Sequence, residues 1–295
     1  MQVITLGDKL NTPVILCLGY FGCMHKGHVK LLETAKRRAS QNGAAVALFT
    51  FSNNHLQVLG KDDKVLYTFG ERLQLYESLG VDYVIVKEFD EEFRKKNGKE
   101  FIGELLRYDL KGVVCGYDHR CGSDGTDANQ IAELLKDVCG VDVVEQISAD
   151  GIKISTTLVK RLLAEKRLLK ANELLSEPFF LTGTVAHGRG VGKTLGFPTA
   201  NVSVPSDKFL PLGVFAGRAE TDGQAYRCIV NIGRTPTFGI DRTAVEAHLI
   251  DFVGDLYGKT VKVSLTKYLR DIVRFDSGNA LVEQLKKDKE NVCND

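Results

Sequence analysis

Short apolar runs alternate with stretches of helical periodicity through the first half of the chain. The runs are rich in β-branched and aromatic residues, which is typical of strands buried on both faces of a sheet. Strands are predicted at 14–18, 44–51, 83–86, 112–115 and 141–147. Helices are predicted between them, at 29–40, 71–79, 99–108 and 128–138. This alternation predicts a Rossmann-like α/β domain with a parallel sheet, whose ligands gather at the carboxyl ends of the strands.

The pattern changes at Ser176, Glu177 and Pro178, because a proline disfavours helix at the residue before it. Two short helices are predicted before this break, at 155–166 and 168–175. Beyond it, strand-like runs between glycine and proline turns lie at 179–185, 214–220, 226–232, 244–252 and 260–268, and a last helix at 277–287. The spacing predicts a small antiparallel β-barrel. We therefore expect two domains, 1–177 and 178–295.

Composition and charge argue against a nucleic-acid-binding protein and against a membrane protein. Lys and Arg number 39 against 38 Asp and Glu, so no global field attracts nucleic acid. No window approaches 18 consecutive apolar residues, and the N-terminus lacks the features of a signal peptide, so no membrane span is expected. Seven cysteines without a CxxC pair suit reduced thiols in the cytoplasm. No obligatory protein partner is evident.

A glycine-rich segment follows the first predicted strand of the barrel. Gly188, Gly190 and Gly192 alternate there, and Arg189 and Lys193 add positive charge. Glycines allow backbone N–H groups to approach phosphate oxygens closely. Such a segment is also common as a tight hairpin turn, so the spacing alone leaves both interpretations open.

Oxygen-bearing side chains follow the glycines. Thr199 and Asn201 are two residues apart, so both face the same way on an extended chain. Hard oxygen donors of this kind suit Mg²⁺ bound to a nucleotide. Glu246, on a later predicted strand, is by itself an ordinary solvent-facing carboxylate.

The segment 183–201 (GTVAHG…LGFPTAN) closely resembles the signature of the riboflavin kinase family. Further matches follow in the family's order, at 212–216, 231–233, 236–239, 245–249, 255–259 and 268–270. The resemblance covers the chain from Phe180 onward. It implies a six-stranded barrel that transfers a phosphoryl group from ATP to riboflavin and so makes FMN.

The same resemblance implies a role for each matching residue. Glu246 corresponds to the catalytic base, which takes the proton from the 5′-hydroxyl of the ribityl chain. Arg270 falls on the flavin side of the site. The glycine segment covers the ATP phosphates, through Gly188, Gly190, Gly192 and Lys193. Two oxygen donors, Thr199 and Asn201, hold Mg²⁺ together with ATP.

Two histidines open the first helix of the N-terminal half. The segment 19–28 follows the first predicted strand, and His25 and His28 stand at its end. Free N–H groups and the helix dipole favour anions at such a place. Imidazoles at i and i+3 can donate hydrogen bonds to phosphates as a leaving pyrophosphate gains charge. For an isolated pair, the alternative is two histidines that merely lie near a helix start.

This segment resembles the HxGH motif of the nucleotidyltransferase superfamily. Segments 116–120 and 153–160 match the glycine–aspartate loop and the ISSTxIR segment of the same proteins. Joined to a riboflavin kinase domain, these motifs resemble the prokaryotic bifunctional riboflavin kinase/FMN adenylyltransferase family, which also makes FAD from FMN and ATP. The resemblance places ATP phosphates against His25, His28, Thr156, Thr157 and Lys160, and a nucleotide or flavin pocket beside Asp118 and Arg120.

The chain departs from this family at several positions. Phe21-Gly22-Cys23 stands where Phe-Asp-Gly is usual, so a carboxylate near the site is missing. Asn53, Asn54 and His55 replace a proline–histidine–proline segment, and Lys160 replaces an arginine with its planar grip on phosphate. Two alternatives therefore stay open: a riboflavin kinase with a degenerate N-terminal domain, and a flavin- or nucleotide-sensing protein that binds without turnover.

Overall fold

The chain forms two compact units, Met1–Thr156 and Thr157–Asp295. The computed structural model describes residues 1–61, 64–188, 192, 196–237 and 240–293; for 235–237 and 240–242 it describes the backbone alone. Among these residues, no helix combines the length and apolar character that a bilayer-spanning segment needs.

The first unit is built on a parallel sheet of six strands in the order β1-β4-β3-β2-β5-β8. Every ladder of the sheet is parallel, as the apolar runs predict. The strands are β1 Gln2–Thr5, β2 Val14–Leu18, β3 Ala45–Phe51, β4 Tyr83–Lys87, β5 Leu110–Gly116 and β8 Val141–Val144. Two short hairpins lie beside it: β6 Arg120–Cys121 with β7 Thr126–Asp127, and β9 Ser148–Ala149 with β10 Ile152–Lys153.

Strand β1 is absent from the hydrophobic pattern. It pairs with β4 at the edge of the sheet, and only Ile4 of its four residues is buried. A single buried side chain produces no apolar run, so the sequence predicts five strands where the structure has six.

Helices join the parallel strands, and local sequence fixes where several of them begin. Thr68, Asn97 and Asp127 each form a capping box with the glutamate or glutamine three residues later, which pairs otherwise unsatisfied backbone N–H groups. The helices are α1 Lys26–Asn42, α2 His55–Val58, α3 Phe69–Ser78, α4 Glu91–Lys95, α5 Gly98–Leu105 and α6 Ala128–Leu135.

The second unit is centred on a closed antiparallel barrel in the order β11-β12-β15-β14-β13-β16. Its strands are β11 Phe180–Ala186, β12 Ala200–Ser203, β13 Gly213–Thr221, β14 Gln224–Thr237, β15 Ile240–Leu249 and β16 Thr260–Arg270. Side chains alternate between the two faces of each strand. Ala200, Ala247 and Val230 are register partners on three adjacent strands and are all buried, which marks the face that fills the barrel.

Three helices belong to this unit: α7 Thr156–Ala164, at whose start the two units divide, α8 Leu168–Leu174 and α9 Gly278–Cys293. Asn172 of α8 donates to the carbonyl of Leu265 and accepts from the N–H of Phe179. These contacts place the segment 157–177 with the barrel, whereas the sequence pattern predicts the boundary at Pro178.

Candidate functional site

The switch point of the parallel sheet lies between β2 and β5. The chain runs from β2 through β3 to β4 on one side and continues through β5 and β8 on the other. Loops that leave neighbouring strands in opposite directions open a crevice at their carboxyl ends, where doubly wound sheets bind ligands. The loop after β2 contains His25, and the loop after β5 contains Asp118. The topology thus brings together two motifs far apart in sequence.

The turn between β2 and α1 is tightly packed. Phe21 is buried and has a φ of 48°, a conformation unusual for a large side chain. The Tyr76 hydroxyl donates to the Phe21 carbonyl at 2.9 Å and fixes the turn. A Cβ on Gly27 would approach the His25 ring to 3.0 Å, so the glycine of the HxGH motif makes room for the first histidine.

His25 and His28 lie against each other at the start of α1. Their rings stack with centroids 3.7 Å apart, and His25 is the N-cap, its Nδ1 accepting from the His28 N–H at 3.3 Å. Nδ1 of His28 contacts the Cys23 carbonyl. Each Nδ1 therefore has a partner in the backbone, which leaves Nε2 as the nitrogen available to a ligand. No acidic residue occupies the first turn of α1, so its dipole is open to an anion.

Burial sets the charge of both histidines. It lowers the pKa of His25 from 6.5 to about 3, and the neighbouring His28 lowers it too. Burial also lowers the pKa of His28, to about 4, although its contact with the Cys23 carbonyl favours the charged form. Both imidazoles are therefore neutral at pH 7.

Asp118 and Thr156 come close to this histidine pair. Asp118 forms an ion pair with Lys153, and both charges act on the pKa of His25. Thr156 places its Oγ1 3.3 Å from Sγ of Cys23. The sequence did not predict a role for Lys153. Its contact with the loop after β5 depends on the β9–β10 hairpin, which appears only in the structure.

The remaining residues predicted for this site have other surroundings. Arg120 is exposed, opposes Asp127 in the β6–β7 hairpin and donates to the His119 carbonyl. Thr157 and Lys160 lie on α7 within the second unit. Their roles toward ATP stay predictions.

In the barrel, three polar side chains form a row across neighbouring strands. Asn201 of β12 is the register partner of Glu246 on β15, and Glu246 is in turn the partner of Asn231 on β14. Opposed residues on antiparallel strands have Cβ atoms about 4.5–5.5 Å apart. The row lies on the face opposite the buried partners Ala200, Ala247 and Val230. The predicted base thus stands beside one of the predicted metal ligands.

Asn231 is a further candidate that sequence reasoning missed. Its Oδ1 is buried and has no hydrogen-bond partner among the described residues. A buried carbonyl oxygen without a partner costs about 1–3 kcal/mol, so its position beside Glu246 suggests that a ligand satisfies it. In the sequence, Asn231 is marked only by its position in the segment 231–233, which matches the riboflavin kinase family. The strand register is what places it next to the carboxylate of Glu246.

The two described glycines of the glycine segment contact the two predicted metal ligands. A Cβ on Gly188 would lie 2.0 Å from Nδ2 of Asn201, and one on Gly192 would lie 3.4 Å from Oγ1 of Thr199. Any side chain at 188 would therefore displace Asn201. Gly190 and Lys193, predicted to meet ATP phosphates, lie outside the described residues, as does Arg189.

Aromatic residues contact the described residues on either side of the glycine segment. Nδ1 of His248, two residues after Glu246, lies 2.8 Å from the Pro198 carbonyl, and its ring packs on Phe197. The ring of His187 stacks on Tyr257 with centroids 3.8 Å apart. His248, which received no role from the sequence, positions the backbone immediately before Thr199.

Arg270 has a clear structural partner. Its Nε lies 3.1 Å from both carboxylate oxygens of Asp288, and a terminal nitrogen lies 2.7 Å from one of them. Asp288 is buried on α9 and also accepts from Gln284. The ion pair joins α9 to the end of β16. The predicted contact of Arg270 with the flavin stays a prediction.

Two family models match the chain, one over the N-terminal sheet and the other over the C-terminal barrel. A model for FAD synthetase matches residues 8–158, and one for riboflavin kinase matches residues 175–294. Together with the sheet and the barrel, they define a two-domain enzyme class in which a nucleotidyltransferase unit precedes a flavin kinase.

Similar curated proteins span nearly the whole chain and are bifunctional riboflavin kinases/FMN adenylyltransferases. That of Bacillus subtilis is 33% identical over 285 residues, covering 94% of this chain and 90% of its own length. Those of Listeria monocytogenes and Escherichia coli are 31% and 32% identical and cover 97% and 93% of this chain. The chain belongs to the bifunctional riboflavin kinase/FMN adenylyltransferase family.

A solved structure has a similar fold over nearly the whole chain. A Streptococcus pneumoniae chain described as a macrolide-efflux protein matches with a TM-score of 0.91 and 28% identity, covering 99% of both chains. The similarity shows a shared fold across both domains.

Proposed function

We propose that this chain makes FMN from riboflavin and ATP in its barrel domain and FAD from FMN and ATP in its N-terminal domain. The presence of both domains in one chain favours two activities over a kinase with a degenerate partner. The observation that carries the kinase assignment is the register that sets Glu246 between Asn201 and Asn231.

In the barrel, Glu246 accepts the proton of the ribityl 5′-hydroxyl while that oxygen attacks the γ-phosphate of ATP. Phosphoryl transfer needs mainly alignment and charge neutralisation, and one carboxylate to orient or deprotonate the alcohol. Gly188 and Gly192 allow the loop backbone to pack on Asn201 and Thr199. The glycine segment then covers the phosphates from that side.

The donor set of the barrel fits Mg²⁺. Thr199 and Asn201 supply hard oxygen atoms, and the carboxylate of Glu246 lies in the adjacent register position. When bound, the ion would neutralise charge on the phosphates of ATP. Thr199 and Asn201 are the residues that would hold it.

In the N-terminal domain, the FMN phosphate attacks the α-phosphate of ATP and pyrophosphate leaves. The start of α1 offers free N–H groups, and the neutral His25 ring carries its proton on Nε2, because its Nδ1 accepts a hydrogen bond. This Nε2–H donates to the phosphates as charge develops on the leaving group. Lys153 supplies a positive charge near His25, and Thr156 supplies a hydroxyl group beside Cys23.

The seven cysteines support a reducing compartment, which we take to be the cytoplasm. All seven are present as reduced cysteines. Disulfides are rare where glutathione and thioredoxin keep thiols reduced, and ATP and riboflavin are substrates of the cell interior.

A time course with riboflavin, ATP and Mg²⁺, followed by chromatography, tests both activities. We expect FMN first and then FAD from the unmodified protein, and neither product when EDTA removes Mg²⁺. Glu246→Gln should lower riboflavin phosphorylation about 10²–10⁴-fold, yet still convert supplied FMN to FAD. His28→Ala removes the ring that stacks on His25 and should therefore accumulate FMN and make little FAD.

Each alternative has its own outcome in this experiment. FMN without FAD from the unmodified protein would establish a monofunctional kinase. Binding of riboflavin without any product would establish a sensing protein. Equal FAD formation by His28→Ala and the unmodified protein would show that the adenylyl-transfer site lies elsewhere.

A further inference from the structure

We infer that Cys23, His25 and His28 form a binding site for a soft divalent cation such as Zn²⁺. One ligand atom from each of the three residues lies within 4.8 Å of the others. Cys23 is fully buried and His25 nearly so, so the three donors converge in a protected place. They stand at the β2–α1 turn and the first turn of α1.

The donor set selects the metal. One thiol sulfur and two imidazole nitrogens are typical zinc ligands, whereas Mg²⁺ requires oxygen. Three protein ligands leave a fourth position for water, as in open zinc sites. The site is thus chemically distinct from the oxygen donors proposed to hold Mg²⁺ in the barrel.

A backbone contact already orients one of the two rings for metal binding, whereas the contact of the other ring must be given up. The Cys23 carbonyl holds Nδ1 of His28, so its proton is there and Nε2 presents a lone pair. His25 must move its proton from Nε2 to Nδ1, which gives up the 3.3 Å hydrogen bond from the His28 N–H. That bond is long and correspondingly weak.

Only a small movement is needed to complete the geometry. Zinc–sulfur and zinc–nitrogen bonds of about 2.3 and 2.05 Å put the donors of a tetrahedral site about 3.4–3.6 Å apart. Donors within 4.8 Å must therefore approach by about 1 Å, and the stacked rings must turn so that their lone pairs converge. The thiol loses its proton to solvent as the metal–sulfur bond forms, so binding releases one proton from Cys23.

Metal binding at this place has a consequence for function. The consequence rests on the proposed function, in which the same histidines contact ATP. Metal and triphosphate then exclude each other. Zinc should block FAD formation and spare the kinase, whose Glu246 and Asn201 lie in the other domain.

Metal binding is tested first, with the full-length protein freed of metals by EDTA and dialysis. Titration with Co²⁺ should produce near-ultraviolet thiolate-to-cobalt absorption and the visible bands of a tetrahedral site, and Zn²⁺ should abolish both. Cys23→Ser, which keeps the size and a polar group beside Thr156, should lose the absorption, and Cys23→Gly should do the same. Cys121→Ser in the same unit is the matched control and should retain it. An unchanged spectrum in both Cys23 variants would overturn the site.

Activity is then measured with Zn²⁺ added to riboflavin, excess ATP and Mg²⁺. We expect FAD formation to fall while FMN formation continues, and Cys23→Ser to need at least tenfold more zinc for the same inhibition. Each variant is compared with its own zinc-free rate, so a change in basal rate cancels. Equal zinc sensitivity of Cys23→Ser and the unmodified protein would overturn the inhibitory role. Absence of FAD without zinc would instead refute the proposed function and leave the cobalt result standing.

Discussion

In the β2–α1 turn, the ring of Tyr20 occupies the space that a side chain at position 22 would need. A Cβ at Gly22 would lie 2.6 Å from Cε1 of Tyr20. The Tyr20 ring is itself held, with the His55 ring 4.2 Å and the Arg72 guanidinium 4.8 Å from its centroid. A side chain at position 22 would therefore have to displace a ring that other residues hold in place.

Gly22→Asp is expected to lower the free energy of unfolding by about 1–3 kcal/mol, because the new side chain overlaps the Tyr20 ring. Tyr20→Ala removes that overlap. In a double-mutant cycle measured by urea unfolding, the pair should be less destabilised than the sum of the single variants, by at least about 0.5 kcal/mol. Simple additivity would contradict the coupling.

Asn231→Ala is expected to lower the rate of riboflavin phosphorylation about tenfold or more without lowering the melting temperature. The substitution breaks no hydrogen bond at the buried Oδ1, so a purely structural role predicts little loss of activity. The measurement pairs thermal unfolding with kinase kinetics, and conversion of supplied FMN to FAD serves as the internal control. An unchanged kinase rate would remove Asn231 from the site.

At the scale of elements, the backbone of Gly188 lies close to the side chain of Asn201 on β12. Gly188→Ala should push Asn201 out of the row with Glu246, because the new Cβ would lie 2.0 Å from its Nδ2. We expect kinase activity to fall at least tenfold while FAD formation from FMN persists. Gly103→Ala is the matched control, since its Cβ would meet no atom within 4 Å. Full kinase activity in Gly188→Ala would disprove the packing argument.

Helix α9 is attached to the barrel partly through the ion pair of Arg270 and Asp288. Asp288→Ala leaves the guanidinium without its buried carboxylate and should cost about 3 kcal/mol of stability. An apolar replacement of both partners, Arg270→Met with Asp288→Leu, should recover most of it. Urea unfolding of the three proteins checks this expectation.

The same double variant tests whether Arg270 also contacts the flavin. With stability restored, the KM for riboflavin should rise if the guanidinium binds substrate, as the family resemblance implies. An unchanged KM would assign Arg270 to the attachment of α9 alone.

At the scale of the whole molecule, buried histidines make the stability of the first unit depend on pH. Burial lowers the pKa of His55 to about 4, with Arg72 and Lys61 adding to the effect. Burial likewise lowers the pKa of His119 to about 4. The positive charge of Arg120 lowers this pKa further, and the negative charge of Asp118 acts in the opposite direction. The unfolded chain binds these protons near pH 6.5 and the folded chain only near pH 4. Stability is therefore fully present above pH 6.5 and declines as the pH falls toward 4.

Thermal unfolding between pH 7.5 and pH 4 measures this dependence. The variant His55→Gln/His119→Gln should show a shallower fall in melting temperature than the unmodified protein over that interval. Parallel curves for the two proteins would mean that these histidines titrate alike in the folded and unfolded chain.

Most elements of the fold could be predicted because each has a local cause. Continuous apolar runs marked β2 to β5, and helical periodicity marked α1 and α3, with errors of a few residues at their ends. The strands β1 and β12 were missed, because one has a single buried residue and the other has only four residues, which alternate between apolar and polar side chains. The missed β12 contains Asn201, so the barrel site could not be assembled from the pattern alone.

The sequence by itself determined the order of sheet and barrel, the family and the motifs, because these depend on residue types and spacing along one chain. Only the tertiary structure decided which motifs meet. Register set Glu246 between Asn201 and Asn231, and the strand order brought the loop of Asp118 to the loop of His25. Both outcomes follow from pairings between distant segments, which local preference does not encode.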